Sequence, residues 1–147
     1  MTIDHGPSYT QPDGHFSVLP EAECLELLTS RTVGRIAFVN HEGLQLIPLN
    51  FAMIDGGIYF RTAIDSVLSD LAEGMEEVVF AVDYQAELYR DAWDVTVKGS
   101  TSRVCDPEVY DRVMSWSRLR PWAGGTRTVV IELLPRSVDG RRVSSHS

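Results

Sequence analysis

The sequence predicts a small α+β domain that is mainly antiparallel β, with short peripheral helices. Three observations carry this. Apolar residues make up 44% and charged residues 23% of 147 residues, ordinary proportions for one globular domain with its own core. Strand-like runs follow one another across tight turns, with only brief helical stretches between them, a pattern of a small barrel rather than a doubly wound sheet. No G-x-G-x-x-G and no G-x-x-x-x-G-K-[ST] occurs, so neither a dinucleotide fold nor a P-loop is expected.

Residues 1–15 lack periodicity and are expected to be a mobile arm, followed by one domain over 16–143. Ser17 and Pro20 announce a helix to about Ser30, with Glu21 and Glu23 in its first turn and Leu25, Leu27 and Leu28 on its apolar side. Arg31–Asn40 and Leu44–Ile54 read as strands joined by the turn Asn40-His-Glu-Gly43. Pro48 cannot donate to a ladder, so it marks a bulge, an edge or an interruption in the second strand. Asp55-Gly56-Gly57 is a hairpin turn leading into a strand over Ile58–Thr62.

Asp65–Glu73 is a short helix with Asp65 as N-cap, Val67, Leu68 and Leu71 on its apolar face and Gly74 at its end. Strands follow over Glu76–Val82 and Trp93–Val104. In the second, Trp93, Val95 and Val97 alternate with Asp94, Thr96 and Lys98, so one face is buried. Pro107 opens a helix to about Leu119, Thr126–Leu134 is the last strand, and a basic tail surrounds Gly140-Arg141-Arg142.

Thirteen Lys and Arg against 21 Asp and Glu leave a net charge of −8, which argues against duplex binding through a basic face. No apolar run approaches the roughly 20 residues needed to span a bilayer, and the first residues lack a signal-peptide core. A cytoplasmic location is expected. Cys24 and Cys105 have no metal-ligand spacing and apolar neighbours, and read as small core residues. His5, His15 and His146 lie in polar terminal segments and His41 in a turn, against a Ser-His-Asp hydrolase.

Charge is unevenly placed. Residues 64–94 hold nine acids and one base, Arg90, whereas 118–142 hold six Arg against Glu132 and Asp139. Two solvated faces of opposite sign would explain this, as would a site for an anionic ligand completed across a subunit boundary. Arg61 and Thr62 close a strand and Ser66 opens a helix, so a guanidinium, two hydroxyls and helix N-terminal N–H groups are placed to converge on one phosphate. Pattern alone makes Phe51, Phe60 and Trp93 core residues. Asn50, behind Pro48, needs a hydrogen-bond partner if buried. Trp122, between Pro121 and Gly124, reads as a loop anchor or a site wall.

These segments resemble the pyridoxamine 5'-phosphate oxidase-like, or flavin split-barrel, family of actinobacteria. The matching stretches are Arg31-x-x-Gly34-Arg35-Ile36-Ala37-Phe38, Pro48-x-Asn50-Phe51, Tyr59-Phe60-Arg61-Thr62-Ala63, Val79-Phe80-Ala81-Val82-Asp83, Trp93-x-Val95-x-Val97-x-Gly99, Pro121-Trp122-Ala123 and Val138-x-Gly140-Arg141-Arg142. The resemblance implies a six-stranded split β-barrel forming a homodimer. Each of two interface sites would bind FMN, or in other branches a deazaflavin (coenzyme F-420) or haem. It places Pro48, Asn50 and Phe51 along the isoalloxazine, Arg61, Thr62 and Ser66 at the ribityl phosphate, and Trp93 and Trp122 as contributions of the partner subunit. Hydride transfer to or from a small molecule would be the cofactor's chemistry; a non-catalytic flavin or haem carrier or sensor is the other implied role. Many relatives carry Gly, Ser or Thr, then Lys where this chain has Asp65-Ser66-Val67. A phosphate-binding cation is thereby lost and a carboxylate gained, with Arg141 or Arg142 expected to compensate.

Overall fold

The computed structural model describes residues 15–88, 91–116 and 128–144. In chain order these form β1 (His15–Leu19), α1 (Glu21–Thr29), β2 (Val33–Asn40), β3 (Gly43–Asn50), β4 (Ala52–Ile54), β5 (Gly57–Thr62), a 3-10 helix (Val67–Glu73), β6 (Val78–Ala86), β7 (Asp91–Arg103), α2 (Pro107–Met114) and β8 (Val129–Ser144). The predicted arm lies outside the described residues except for His15, which opens β1.

All strands join one antiparallel sheet in the order β3-β2-β6-β7-β8-β5-β4, with β1 on the last residues of β8. The sheet order begins and ends in one chain stretch, because β3 and β4 are separated by Phe51 alone. The sheet thus curls around a main core that includes Ile36, Phe60, Phe80, Val95 and Ile131, while Ala52, Ile54, Tyr59, Val104, Val130 and Val113 of α2 form a second buried cluster. Cys24 and Leu28 of α1 and Leu68 and Leu71 of the 3-10 helix fill the main core from the sides.

The expected six strands are corrected to eight. Residues 16–19 form β1 instead of leading into the helix, because Val18 and Leu19 pair with Arg141 and Gly140. The predicted second strand divides at Phe51 rather than at Pro48. Pro48 stays in register opposite Arg35, since an end strand tolerates a missing N–H. The predicted basic tail is also strand: β8 runs 16 residues and pairs with β7 along most of its length. Arg141 lies 3.0 Å from Asp94, and Arg142 lies 3.4 Å from Glu23 and 3.5 Å from Asp91. Part of the charge asymmetry is therefore neutralised within the chain.

Asp55 and Gly56 adopt φ of 50° and 81°, the left-handed pair of a two-residue hairpin whose twist suits the flanking strands. The N-cap of the 3-10 helix is Ser66, not Asp65: its hydroxyl accepts from the Leu68 N–H at 3.0 Å.

The cysteines separate. Cys24 is fully buried, and burial, then the carboxylates of Asp139 and Glu23, raise its thiol above the ordinary range. Cys105 is exposed at the junction of β7 and α2, a correction caused by the strand ending at Arg103. The native protein is expected to give one fast equivalent with an aromatic disulfide reagent and a second only on unfolding. Two fast equivalents would contradict the burial of Cys24.

Candidate functional site

The chain exchanges one ladder for another at Phe51. Residues 43–50 pair with β2, and Ala52–Ile54 pair with β5. Beyond the Ala52–Tyr59 pair, β5 continues through Thr62 with β8 on one side and no ladder on the other. Two edges therefore diverge between β3 and β5, and their backbone groups have no ladder partner among the described residues. Unpaired edges are natural docking lines for a planar ligand with hydrogen-bonding margins. Asn50 ends β3 on one side of the break, and Arg61 lies one residue from the end of β5 on the other.

Phe51 is the pivot of this split. Its N–H donates to the Thr32 carbonyl at 2.9 Å, and its fully buried ring meets Phe80 edge-on, with centroids 5.0 Å apart. A Cβ on Gly34 would stand 2.5 Å from the Phe80 ring, so Gly34 gives that ring its place. The Phe51 side chain serves the core, leaving its backbone at the split. Pro48 is exposed and Asn50 half-buried on the outward side of β3.

Arg61 and Thr62 are successive strand residues and face opposite ways. Thr62 is fully buried, and its hydroxyl makes a close contact with that of Ser66. Ser66 also accepts from the Leu68 N–H, as above, and its carbonyl takes the Ser69 hydroxyl at 2.6 Å. The two hydroxyls come together as predicted, but they are engaged with each other and with the turn. Arg61 is half-buried on the face it shares with Tyr59, whose hydroxyl donates to Glu132 at 3.4 Å. Burial, then the charge of Glu132, raises the Tyr59 phenol above its ordinary range. Ile64, Asp65 and Val67 project from the same turn into solvent.

The remaining predicted residues lie across the sheet. Trp93 is 5% exposed on the inner face, 6.1 Å from the Tyr84 ring, over which the Arg31 guanidinium sits at 4.0 Å. Arg141 is on the outer face, and it shares with Trp93 a groove of about 310 Å³ lined also by Phe16, Asp83, Gln85 and Ala92. Asp83, Asp94 and Arg141 are directly opposed on β6, β7 and β8. Continuing the β2–β6 register adds Val33, which pairs with Asn50. Asn50 and Arg141 thus end one row four strand spacings long, about 19 Å. A single copy does not bring them together. Trp122 lies outside the described residues.

The pyridoxamine 5'-phosphate oxidase family model matches residues 20–142. The chain belongs to the pyridoxamine 5'-phosphate oxidase family. A family relative in sequence is the protein Rv0080 of Mycobacterium tuberculosis H37Rv, 28% identical over 134 residues, 88% of this chain and 86% of that one. Among solved structures, the FAD-binding protein of Mycobacterium smegmatis is 27% identical with a TM-score of 0.73, over 87% of this chain and 98% of that chain. An FAD-binding protein of Mesorhizobium loti, 24% identical, matches the fold with a TM-score of 0.75, over 89% of this chain and 98% of that chain.

For this member of the oxidase family, sequence reasoning passed over one set of residues. On the outer face, Leu44 and Leu46 are 78% and 67% exposed, and Val39 is 66% exposed beside them. The available signal was that Leu44–Leu49 is apolar at both parities except for Gln45, so both faces of the strand were apolar. Glu132, facing Tyr59 on the β5–β8 pair, had no signal, because register decides it.

Proposed function

We propose that the chain is a homodimeric flavin-binding oxidoreductase whose FMN moiety crosses the subunit boundary. The observation that carries this is the split between β3 and β5, with Asn50 and Arg61 at its margins and apolar strand surface beside it. The split suits an isoalloxazine, a flat ring system with an edge of donors and acceptors for unpaired backbone groups. Arg61 supplies the charge for a phosphate. A bound flavin would supply hydride transfer; the protein's part is to hold the ring, exclude water from one face and neutralise the phosphate. The FAD-binding description of the Mycobacterium smegmatis relative supports a flavin here.

Dimerisation follows from the same face. Leu44, Leu46 and Pro48 of β3, Val33, Ala37 and Val39 of β2, and Val79 and Ala81 of β6 are neighbours by register on the outer side, with Arg35, 3.5 Å from Asp83, between Val33 and Ala37. Ala37, Val39, Leu44 and Val79 line a groove of about 340 Å³ together with Glu77, Lys98 and Arg136. Exposed apolar side chains clustered in this way mark an interaction site. A second copy, related by a two-fold axis, would cover it and bring its own Trp93 and Arg141 toward Asn50 and Arg61.

Arg61→Ala is expected to weaken FMN binding at least about tenfold, or 1.4 kcal/mol, and to leave riboflavin, which lacks the phosphate, nearly unchanged. Calorimetric titration of both ligands reads this directly. Equal losses for the two would place the phosphate elsewhere.

A further inference from the structure

We propose that β1 of each subunit closes the flavin site of the other, with Phe16 as the side chain that covers the bound ring. This rests on the dimeric flavin reading above and adds a residue to its site. The family resemblance gives that place to Trp93, but Trp93 is almost fully buried and its ring packs beside Tyr84 on the inner face. It has little surface to offer a ligand. Phe16 shares the groove of Trp93 and Arg141 and is 62% exposed. Val143, its partner in the β1–β8 register, is 42% exposed in the same groove.

β1 contributes little to the fold that carries it. Of Phe16, Ser17, Val18 and Leu19, only Leu19 is buried in the core. Alternation along the strand puts Phe16 and Val18 on the outer side, opposite Val143 and Arg141. Phe16, Val18 and Val143 are thus neighbouring apolar side chains held in water, the mark of a contact surface.

Strand order identifies what covers them. From β2, in the middle of the apolar dimer face, the sheet runs to β3 and then the split on one side. On the other side it runs through β6 and β7 to β8, with β1 paired to the last residues of β8. A two-fold axis lying along the strands at β2 exchanges the two sides. It sets β7 of one copy over the split of its partner and β8 over the partner's β5. The groove that holds Phe16 then faces the place where the ring is held. There Phe16 buries its own ring against another flat ring and removes water from the flavin face that the other subunit leaves open.

The test is calorimetric titration of the full-length protein with FMN and riboflavin. Phe16→Ser is expected to weaken both ligands alike, at least about tenfold, because the contact is to the ring, whereas Arg61→Ala weakens FMN alone. Phe16→Tyr keeps the aromatic face and should stay within about twofold of the unsubstituted protein. FMN bound to the Phe16→Ser dimer should also become more open to fluorescence quenching by acrylamide. A mixed dimer of one Phe16→Ser chain and one Arg61→Ala chain, isolated through two different affinity tags, decides the geometry. If Phe16 serves the partner's site, one site carries both changes and the other carries neither, so one FMN per dimer binds with full affinity. A mixed dimer with no full-affinity site overturns the proposal, as does unchanged FMN and riboflavin binding in Phe16→Ser. A Phe16→Ser chain that sediments as a monomer also overturns it, by making Phe16 part of the association surface alone. An unsubstituted protein that binds neither flavin, or binds flavin as a monomer, removes instead the reading on which the proposal rests.

Discussion

Leu46→Glu is expected to sediment as a monomer at micromolar concentration and to lose flavin binding with its dimer. Leu46 is 67% exposed on β3, opposite Ala37 and one register step from Val39 and Leu44. In a two-fold interface each substitution is made twice, so two carboxylates would enter one apolar contact. An uncompensated buried carboxylate costs several kcal/mol in mutational terms. Even about 4 kcal/mol in total weakens association roughly a thousandfold. In a monomer the fold should persist, because Leu46 contributes nothing to the buried core. A variant that remains dimeric and retains flavin would move the interface off this face.

Gly99→Ala should have the largest effect on stability. A Cβ at Gly99 would lie 2.1 Å from the Leu134 carbonyl oxygen and 3.1 Å from the Pro135 Cα, all backbone atoms. Those atoms belong to β8, which Gly99 meets where the register shifts between Lys98 and Gly99. No side-chain rotation relieves such a contact; the two central strands must separate. Overpacking against backbone costs about 3 kcal/mol or more, which for a chain of this length lowers the melting temperature by roughly 6–12 °C. Gly56→Ala provides the comparison. It has a φ of 81° but nothing within 4 Å of its Cβ, so its cost is limited to the left-handed conformation, about 1–2 kcal/mol. A Gly99→Ala melting curve matching that of Gly56→Ala would refute the close approach of β7 and β8.

Much of the local structure was legible along the chain. The turn at Asp55-Gly56, the buried parity of Trp93, Val95 and Val97, and the helix start at Pro107 appear as predicted, although that helix ends at Met114, short of the expected Leu119. Each depends on residues within a few positions of one another, where side-chain period and turn chemistry act directly. Errors arose where a distant strand decided the outcome. Residues 16–19 extend because β8 offers them an edge, and residues 135–144 form a strand because β7 and β1 flank them.

The candidate site divides in the same way. Sequence alone determined the antiparallel α+β class, the family resemblance and the proximity of Thr62 to Ser66, which one short turn brings together. Only the tertiary structure decided that Glu132 lies opposite Tyr59, on the face Arg61 shares, and that Arg141 meets Asp94. It also set Asn50 and Arg141 at opposite ends of one row of strands. Strand parity is a local property, read from two adjacent residues. Which strands become neighbours, and in what register, depends on burying apolar faces contributed by the whole chain.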